Sequence, residues 1–437
     1  MRFKIIFFFI TISLLFLSCS SSTETGEIIV DPDPVILSNP NILLIIGDDM
    51  GKDATPNYPE GIIKPTMPTL QSLISTGITF DNLWSYSVCT PTRASIITGK
   101  YGVTSGVLEV GDQISTAETS IQEYIDANTG NEYATAIVGK WHLSNNISDP
   151  QTMGIDYYAG LLNGGVQSYT NWNLVENGQS NVSTDYTTTK FTDLAIDWVD
   201  NQTKPWFLWL AYNAPHTPFH LAPTNLHTQG NLPTDQASID ANPTPYFLSA
   251  VEAMDSEIGR LLNSLTPAEI ENTIIIFIGD NGTPGQVVQS PYNRLRAKGS
   301  IYQGGVNVPM IISGFGVNRI GERESALIHT ADLFATIAKI SGISIQEINN
   351  SISFYDLLSN SNANQREFVY TEKSDNGISY TIRNSTYKLI KNSDGSEELY
   401  NIITDAYETN NLIGTILSND ASANKLALEM EADIIRM

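Results

Sequence analysis

Short runs of almost unbroken apolar residues punctuate the chain: Ile42 to Ile46, Thr135 to Val138, Trp206 to Ala211, Thr273 to Ile278 and Val308 to Ile312. A strand with one wet face alternates apolar and polar residues, whereas a strand covered on both faces does not. These runs therefore predict the centre of a mainly parallel sheet. Between them, apolar positions recur at helical spacing. The clearest case is Ser249 to Leu265, where Val251, Met254, Ile258, Leu261, Leu262 and Leu265 share one face. The alternation predicts an α/β fold, a large mainly parallel sheet flanked by helices.

From about Phe368 the pattern becomes half polar. Phe368 to Tyr370, Ser379 to Arg383, Tyr387 to Ile390 and Glu398 to Tyr400 are short strand-like segments, with Asp394-Gly395 as a hairpin signal between the last two. A helical stretch from Asp420 to Ile435 follows. These features predict a smaller C-terminal antiparallel sheet plus helix, residues 366–437, on a catalytic domain of residues 39–365.

The N-terminus differs from both. Arg2 and Lys4 precede a mainly apolar stretch from Ile5 to Leu17, too short to span a bilayer and suited to a signal peptide over residues 1–18. It runs into Phe16-Leu17-Ser18-Cys19, which resembles a bacterial lipoprotein cleavage box with Cys19 as the lipidated residue. Residues 19–38, with Pro32 and Pro34 among polar neighbours, then read as a tether. The expected location is outside the cytoplasm, lipid-anchored in the bacterial envelope at the outer membrane or periplasm.

Composition narrows the partners. The 437 residues carry 23 Lys+Arg against 47 Asp+Glu, a net charge of −24, which disfavours nucleic acid and leaves a lipid anchor as the only route to a membrane. Hydrophobic residues at 41% are ample for a packed core and exclude a disordered polymer. The 2 cysteines exclude a disulfide framework, and lipidation of Cys19 leaves Cys89 without a partner.

In open α/β sheets, ligands sit beyond the carboxyl ends of the strands. Here those ends carry Gly47-Asp48-Asp49 after the first run and Gly279-Asp280-Asn281-Gly282 after the fourth. A lone Gly-Asp-Asp is ordinarily a turn with a cap. Two acidic ends in one sheet make an all-oxygen set for a hard divalent cation such as Ca²⁺ or Mg²⁺. The other ends are basic: Gly139-Lys140-Trp141-His142 and Asn213-Ala214-Pro215-His216. The chain has only 5 histidines, and two stand at strand ends facing the acidic set. A metal, two histidines and lysines in one crevice suit an anionic tetrahedral group and proton transfer.

Val88 to Gly99 reads as a helix with Thr90 as N-cap and Pro91 at its first position, which puts Cys89 just outside the N-terminus and Arg93 one turn on. A soft thiolate is a poor companion for a hard cation; an oxygen there would fit better.

Cys89-Thr90-Pro91-Thr92-Arg93-Ala94 resembles the C-x-P-x-R signature of the sulfatase family, whose cysteine is converted to formylglycine by a formylglycine-generating enzyme. The resemblance extends through Gly139-Lys140-Trp141-His142, Ala214-Pro215-His216, Gly279-Asp280-Asn281-Gly282, Lys298-Gly299, Gly304-Gly305-Val306 and Val308-Pro309, and on to Tyr387 to Ile390 and Glu398 to Tyr400. It implies an alkaline-phosphatase-like fold and hydrolysis of a sulfate ester to alcohol and sulfate. It also implies one Ca²⁺ bound by Asp48, Asp49, Asp280, Asn281 and the modified Cys89. Arg93 and Lys140 would hold the formylglycine hydrate and the sulfate oxygens, and His142 would deprotonate the hydrate. His216 and Lys298 would contact the sulfate and leaving oxygen, with His216 as proton donor. The expected substrate is a sulfated carbohydrate, with Arg294, Arg296 and His220 as outer contacts; His227 is a further subsite candidate and His329 a structural residue.

The chain departs from the family pattern at Thr92 and Ser144, and at Gln303 and Asn307, where a Glu and an Arg are usual. The last two are expected to change charge near the mouth of the site. Rival readings are an arylsulfatase for small esters, a phosphodiesterase or phosphonate hydrolase of the same fold, and a glycan-binding lipoprotein without turnover. A two-zinc phosphatase needs more histidine ligands than remain.

Overall fold

The computed structural model describes residues 39–363, 365–374 and 376–437. The signal peptide, the tether and Cys19 lie outside the described residues. In chain order the main sheet comprises β1 (Asn41–Gly47), β2 (Gly77–Trp84), β3 (Ala134–Lys140), β4 (Tyr157–Leu161), β5 (Trp172–Glu176), β6 (Gln179–Ser183), β7 (Trp206–Ala211), β8 (Thr273–Gly279), β9 (Asn307–Gly314), β10 (Arg323–Glu324) and β11 (Ile328–His329). Across the sheet the order is β10-β2-β9-β8-β1-β7-β3-β4-β5-β6, with β11 also on β2.

All five apolar runs are strands, and β1, β3, β7 and β8 are parallel, with β1 between β7 and β8. Val308 to Ile312 departs from that direction: β9 runs antiparallel to both β8 and β2. Burial on both faces makes a strand continuously apolar whichever way it points, so the run alone carries no direction. Alternate residues of β1 serve different cores. Ile42, Leu44 and Ile46 meet the helices Cys89–Thr98, Ile121–Thr129 and Asp332–Ile340 on one face. Leu43 and Ile45 meet Pro68–Thr76, Thr187–Val199 and Thr244–Ser264 on the other. Each such side chain, fully buried, is worth about 1.5–3 kcal/mol of transfer free energy.

The C-terminal segments form a four-stranded antiparallel sheet after the small ribbon β12 (Glu347–Ile348) and β13 (Ser351–Ile352). Its strands are β14 (Val369–Ser374), β15 (Ile378–Arg383), β16 (Tyr387–Lys391) and β17 (Glu397–Asn401), covered by the helix Asn419–Ile435 through Leu428 and Ala432. Trp84, Val306, Leu327 and Val369 form a shared apolar junction with the main sheet. Beside it, the buried Lys388 Nζ donates to the Ile301 carbonyl at 2.8 Å and pairs with Glu408. No helix among the described residues is long and apolar enough to cross a membrane.

Candidate active site

The parallel register brings the ends of β1, β3, β7 and β8 to one edge of the sheet. Asp48 and Asp49 leave β1, Lys140 ends β3, Asn213 to His216 follow β7, and Asp280 and Asn281 leave β8. Cys89 comes to the same place on the first residue of the helix Cys89–Thr98, whose ten residues are all buried. The helix begins one residue earlier than the Thr90 cap predicts, and Val88 precedes it without a side-chain cap. Thr90 is occupied differently: its hydroxyl lies 3.3 Å from His142 Nε2.

Charges in the site are paired and dry. Lys140 Nζ lies 2.5 Å from Asp48 Oδ2, and Arg93 Nη2 lies 2.8 Å from Asp280 Oδ2, all four side chains being inaccessible to solvent. Arg93 also donates to the Lys140 carbonyl at 2.8 Å, which ties the ends of β3 and β8 together. Lys298 Nζ reaches both Asp49 oxygens, at 2.5 and 2.7 Å. Burial alone would raise the Asp48 carboxyl, but the neighbouring Lys140, His216, Arg93 and Lys298 hold it below the usual carboxylate range. Asp280 moves the other way, pushed up to about 6 by burial and by the Asp48 charge. Such divergence marks carboxylates buried close together, each raising the other against the cations that pair them.

A divalent cation fits the oxygen atoms these pairings leave free. Asp48 Oδ1 and Asn281 Oδ1 are buried and accept no hydrogen bond. One ligand atom each from Asp48, Asp49, Cys89 and His216 lies within 4.8 Å of the others. Asp280 accepts from the Asp49 amide at 3.0 Å and from Arg93, and each oxygen keeps a further lone pair for an ion. Asn281 donates to Asp49 Oδ1 at 2.8 Å, which orients its own oxygen away from that carboxylate. Carboxylate and amide oxygens are the donor set of a hard cation.

The two histidines are held differently. Burial, then the charges of Lys140 and Arg93, push His142 down to about 2, so its ring is neutral. His216 Nδ1 is 2.7 Å from the Thr217 carbonyl, which can only accept, so the proton resides on Nδ1. Its Nε2 faces Asp49 Oδ2 at 3.8 Å. Burial pushes the Cys89 thiol up to about 12, Lys140 opposing and Asp48 reinforcing the shift, so an unmodified thiol here is a weak nucleophile at neutral pH.

The outer contacts expected from the sequence are placed otherwise. His220 uses both ring nitrogens, near Tyr186 Oη at 3.0 Å and the Pro218 carbonyl at 3.1 Å, and stacks on Tyr169 with centroids 3.9 Å apart. It shapes the loop rather than offering a free contact. His227 is likewise engaged, with the Ala222 carbonyl at 3.1 Å and the Gln229 amide at 3.1 Å. Arg296 donates to the Glu408 carbonyl and lies over the Tyr302 ring at 4.4 Å, so it braces the C-terminal segment. Arg294 is exposed on a single 3-10 turn, Arg294–Arg296. Gln303 and Asn307 are buried, only 3% and 8% exposed, rather than lying open at the mouth of the site.

Two residues went unread in the sequence. Gly164 and Gly165 follow β4, and a Cβ on Gly164 would lie 2.4 Å from His142 Nε2, while one on Gly165 would lie 3.3 Å from His216 Cε1. The dipeptide makes room for both imidazoles. Asn213 is also buried, with both atoms of its amide unpartnered, just ahead of His216.

Comparison with known proteins bears on this constellation. Residues 40–343 match the family model described as Sulfatase. An ulvan-active sulfatase of Formosa agariphila is 26% identical over 462 aligned positions, covering 96% of this chain and 86% of that protein. The structure of i-CgsB in complex with k-i-k-neocarrahexaose superposes with a TM-score of 0.76 at 24% identity, over 90% of this chain and 92% of the other. A sulfated-sugar complex, bound to its substrate D-glucosamine-2-N,6-O-disulfate, gives a TM-score of 0.76 at 21% identity, over 91% of this chain and 98% of the other.

Proposed function

The chain belongs to the sulfatase family and is a sulfuric ester hydrolase, and on that premise we propose that it hydrolyses sulfated saccharides with a formylglycine made from Cys89 and one Ca²⁺. The observation that supports this most directly is the position of Cys89: its sulfur shares a 4.8 Å cluster with Asp48, Asp49 and His216, where a thiol is chemically out of place and an oxygen would serve. Asp48, Asp49, Asp280 and Asn281 would hold the ion, which supplies a Lewis acid for sulfate and nucleophile oxygens. The modified residue supplies an oxygen nucleophile in place of sulfur.

The chain's own residues divide the remaining work. Arg93, Lys140 and Lys298 present fixed positive charge to an anionic group entering the edge of the sheet, and in a dry site that charge counts for more than it would in water. His142, neutral and oriented by Thr90, takes a proton at a ring nitrogen. His216, held at Nδ1 by the Thr217 carbonyl, gives a proton from Nε2 to the leaving alcohol. Lys140 and Arg93 are already committed to carboxylates, so their geometry is set before substrate arrives.

Gly164→Ala is a direct test of the His142 role. Its methyl would displace the ring, and a misplacement of this size is expected to lower kcat by about 10- to 100-fold with little change in KM. Gly165→Ala, with its milder contact, should cost less. Equal kcat in wild type and Gly164→Ala would remove His142 from the chemistry.

The names of the ulvan-active relative and of the two saccharide complexes favour a sulfated carbohydrate for this chain too. Lipid anchoring through Cys19, with export to the bacterial envelope, would place the enzyme where such polymers arrive. A panel of sulfated glycans beside an aryl sulfate tests the substrate class. Turnover is expected on at least one sulfated saccharide. Turnover of the aryl ester alone would point instead to an arylsulfatase for small esters.

A further inference from the structure

A second cavity, of about 710 Å³, lies between the main sheet and the C-terminal sheet and shares no residue with the catalytic cluster. One stretch of chain separates the two: Lys298 serves the catalytic site, while Tyr292, Gln303 and Asn307 line the cavity. Its volume lies within the roughly 300–1,000 Å³ usual for small-molecule sites.

Three cations face this space: Lys52, Arg323 and Arg383. Arg323 is paired with Asp81. Lys52 and Arg383, only 4% and 7% exposed, have no carboxylate partner among the described residues. Lys52 donates to the Asp81 carbonyl, and Arg383 donates to the Asn384 carbonyl at 2.9 Å and to Asn82 Oδ1 at 3.1 Å. Burying a charge without a counter-ion is costly. The strain is visible: burial pushes Lys52 down to about 8, with Arg383 and Arg323 adding to the shift against Glu60 and Asp81. Burial likewise brings Arg383 down to about 10. In a chain of net charge −24, three cations against Glu60 and Asp81 make a local surplus of positive charge.

The wall carries unmet acceptors as well. Gln303 Oε1, Asn307 Oδ1 and Glu60 Oε2 are buried without a hydrogen-bond donor, on residues that are each more than nine-tenths buried. The rings of Tyr58, Tyr292 and Tyr407 complete the lining, Tyr292 and Tyr407 meeting edge to face at 5.9 Å. A ligand suited to all of this has an anionic group for the cations, hydroxyls to donate to the orphan oxygens, and an apolar C–H face for the rings. We propose that this cavity is a non-catalytic site for an anionic sugar residue, one bearing a carboxylate or a sulfate. The sugar part rests on the carbohydrate reading above; the anion part rests on the cations Lys52, Arg383 and Arg323. A polyanionic chain held here and at the catalytic site would be gripped at two points.

Glucuronate offers a probe with no sulfate ester to hydrolyse. It is titrated calorimetrically into the full Cys89→Ala chain, beside glucose and sodium sulfate. Glucuronate is expected to bind at least about tenfold more tightly than either, and Arg383→Gln in the same background should weaken it about tenfold or more, the scale of one lost charge-assisted hydrogen bond. With Cys89 intact, Arg383→Gln should leave kcat/KM for an aryl sulfate within about twofold, since the residue touches nothing in the catalytic cluster. Should Arg383→Gln fail to fold, Arg323→Gln, at a more exposed cation, is read in the same way. Glucuronate binding that neither substitution alters would overturn the site. Sodium sulfate binding as tightly as glucuronate would reduce it to an anion hole without sugar recognition and overturn the proposal. A chain that turns over neither an aryl sulfate nor any sulfated saccharide, yet binds glucuronate through Arg383, would sink the sulfatase chemistry and leave the cavity standing.

Discussion

Cys89→Ala is expected to lower kcat/KM by roughly 10⁴-fold or more, the scale of losing a covalent nucleophile. The fold should survive, since the position contributes one buried sulfur to a helix held by Ile96, Ile97 and the charges of Arg93. Cys89→Ser should be nearly as poor, because a hydroxyl at that place is neither the aldehyde nor ionised. Circular dichroism separates lost chemistry from lost structure. Mass spectrometry of the peptide containing Cys89 completes the experiment: active enzyme should carry the aldehyde in place of the thiol. Full turnover by a preparation holding only the thiol would sink the formylglycine assignment.

Removal of the metal is the second large effect. Chelation of the wild-type enzyme should abolish turnover, and added Ca²⁺ should restore it where Zn²⁺ does not. Asp48→Asn should lose calcium and activity together. It also leaves the Lys140 ammonium facing a neutral amide in a site closed to water, so a stability loss of about 3–5 kcal/mol is expected, the cost of breaking a buried pair from one side. Urea denaturation with and without Ca²⁺ separates the contributions. Bound calcium should raise the stability of the wild type by about 2.7 kcal/mol at a hundredfold excess over Kd and should do little for Asp48→Asn. Zinc bound in stoichiometric amount and sufficient for activity would favour the phosphatase-type chemistry of the same fold.

Much of this site is legible in the sequence because parallel strands end on one side. Once Ile42–Ile46, Thr135–Val138, Trp206–Ala211 and Thr273–Ile278 are recognised as neighbours in such a sheet, Asp48, Lys140, His216 and Asp280 must converge. The direction of β9 was not legible, because apolar continuity reports burial and not polarity of the chain. The hairpin of β5 and β6 carries its own turn signal, Asn177-Gly178, between strands too polar to stand out beside the central runs. Gly164 and Gly165 belong to another class: a glycine announces a close approach but not what approaches. Gln303 and Asn307 stand near Lys298 in sequence, yet both side chains are buried in the wall of a separate cavity. Arg296 and His220 looked available because a sequence shows side chains without their partners; Glu408, Tyr302, Tyr169 and Tyr186 already hold them.

The depth of Cys89 sets an order of events. At 2% exposure, in a helix with no exposed residue, it offers a second enzyme nothing to grip once the domain has closed. If Cys89 is converted as proposed above, the conversion is expected to precede folding, while the segment from Val88 to Gly99 is still extended. A chain that folds first is locked in the thiol form, well packed and inactive. Any producer of this enzyme thus faces a race between modification and folding, and slowing the second should raise the yield of the first.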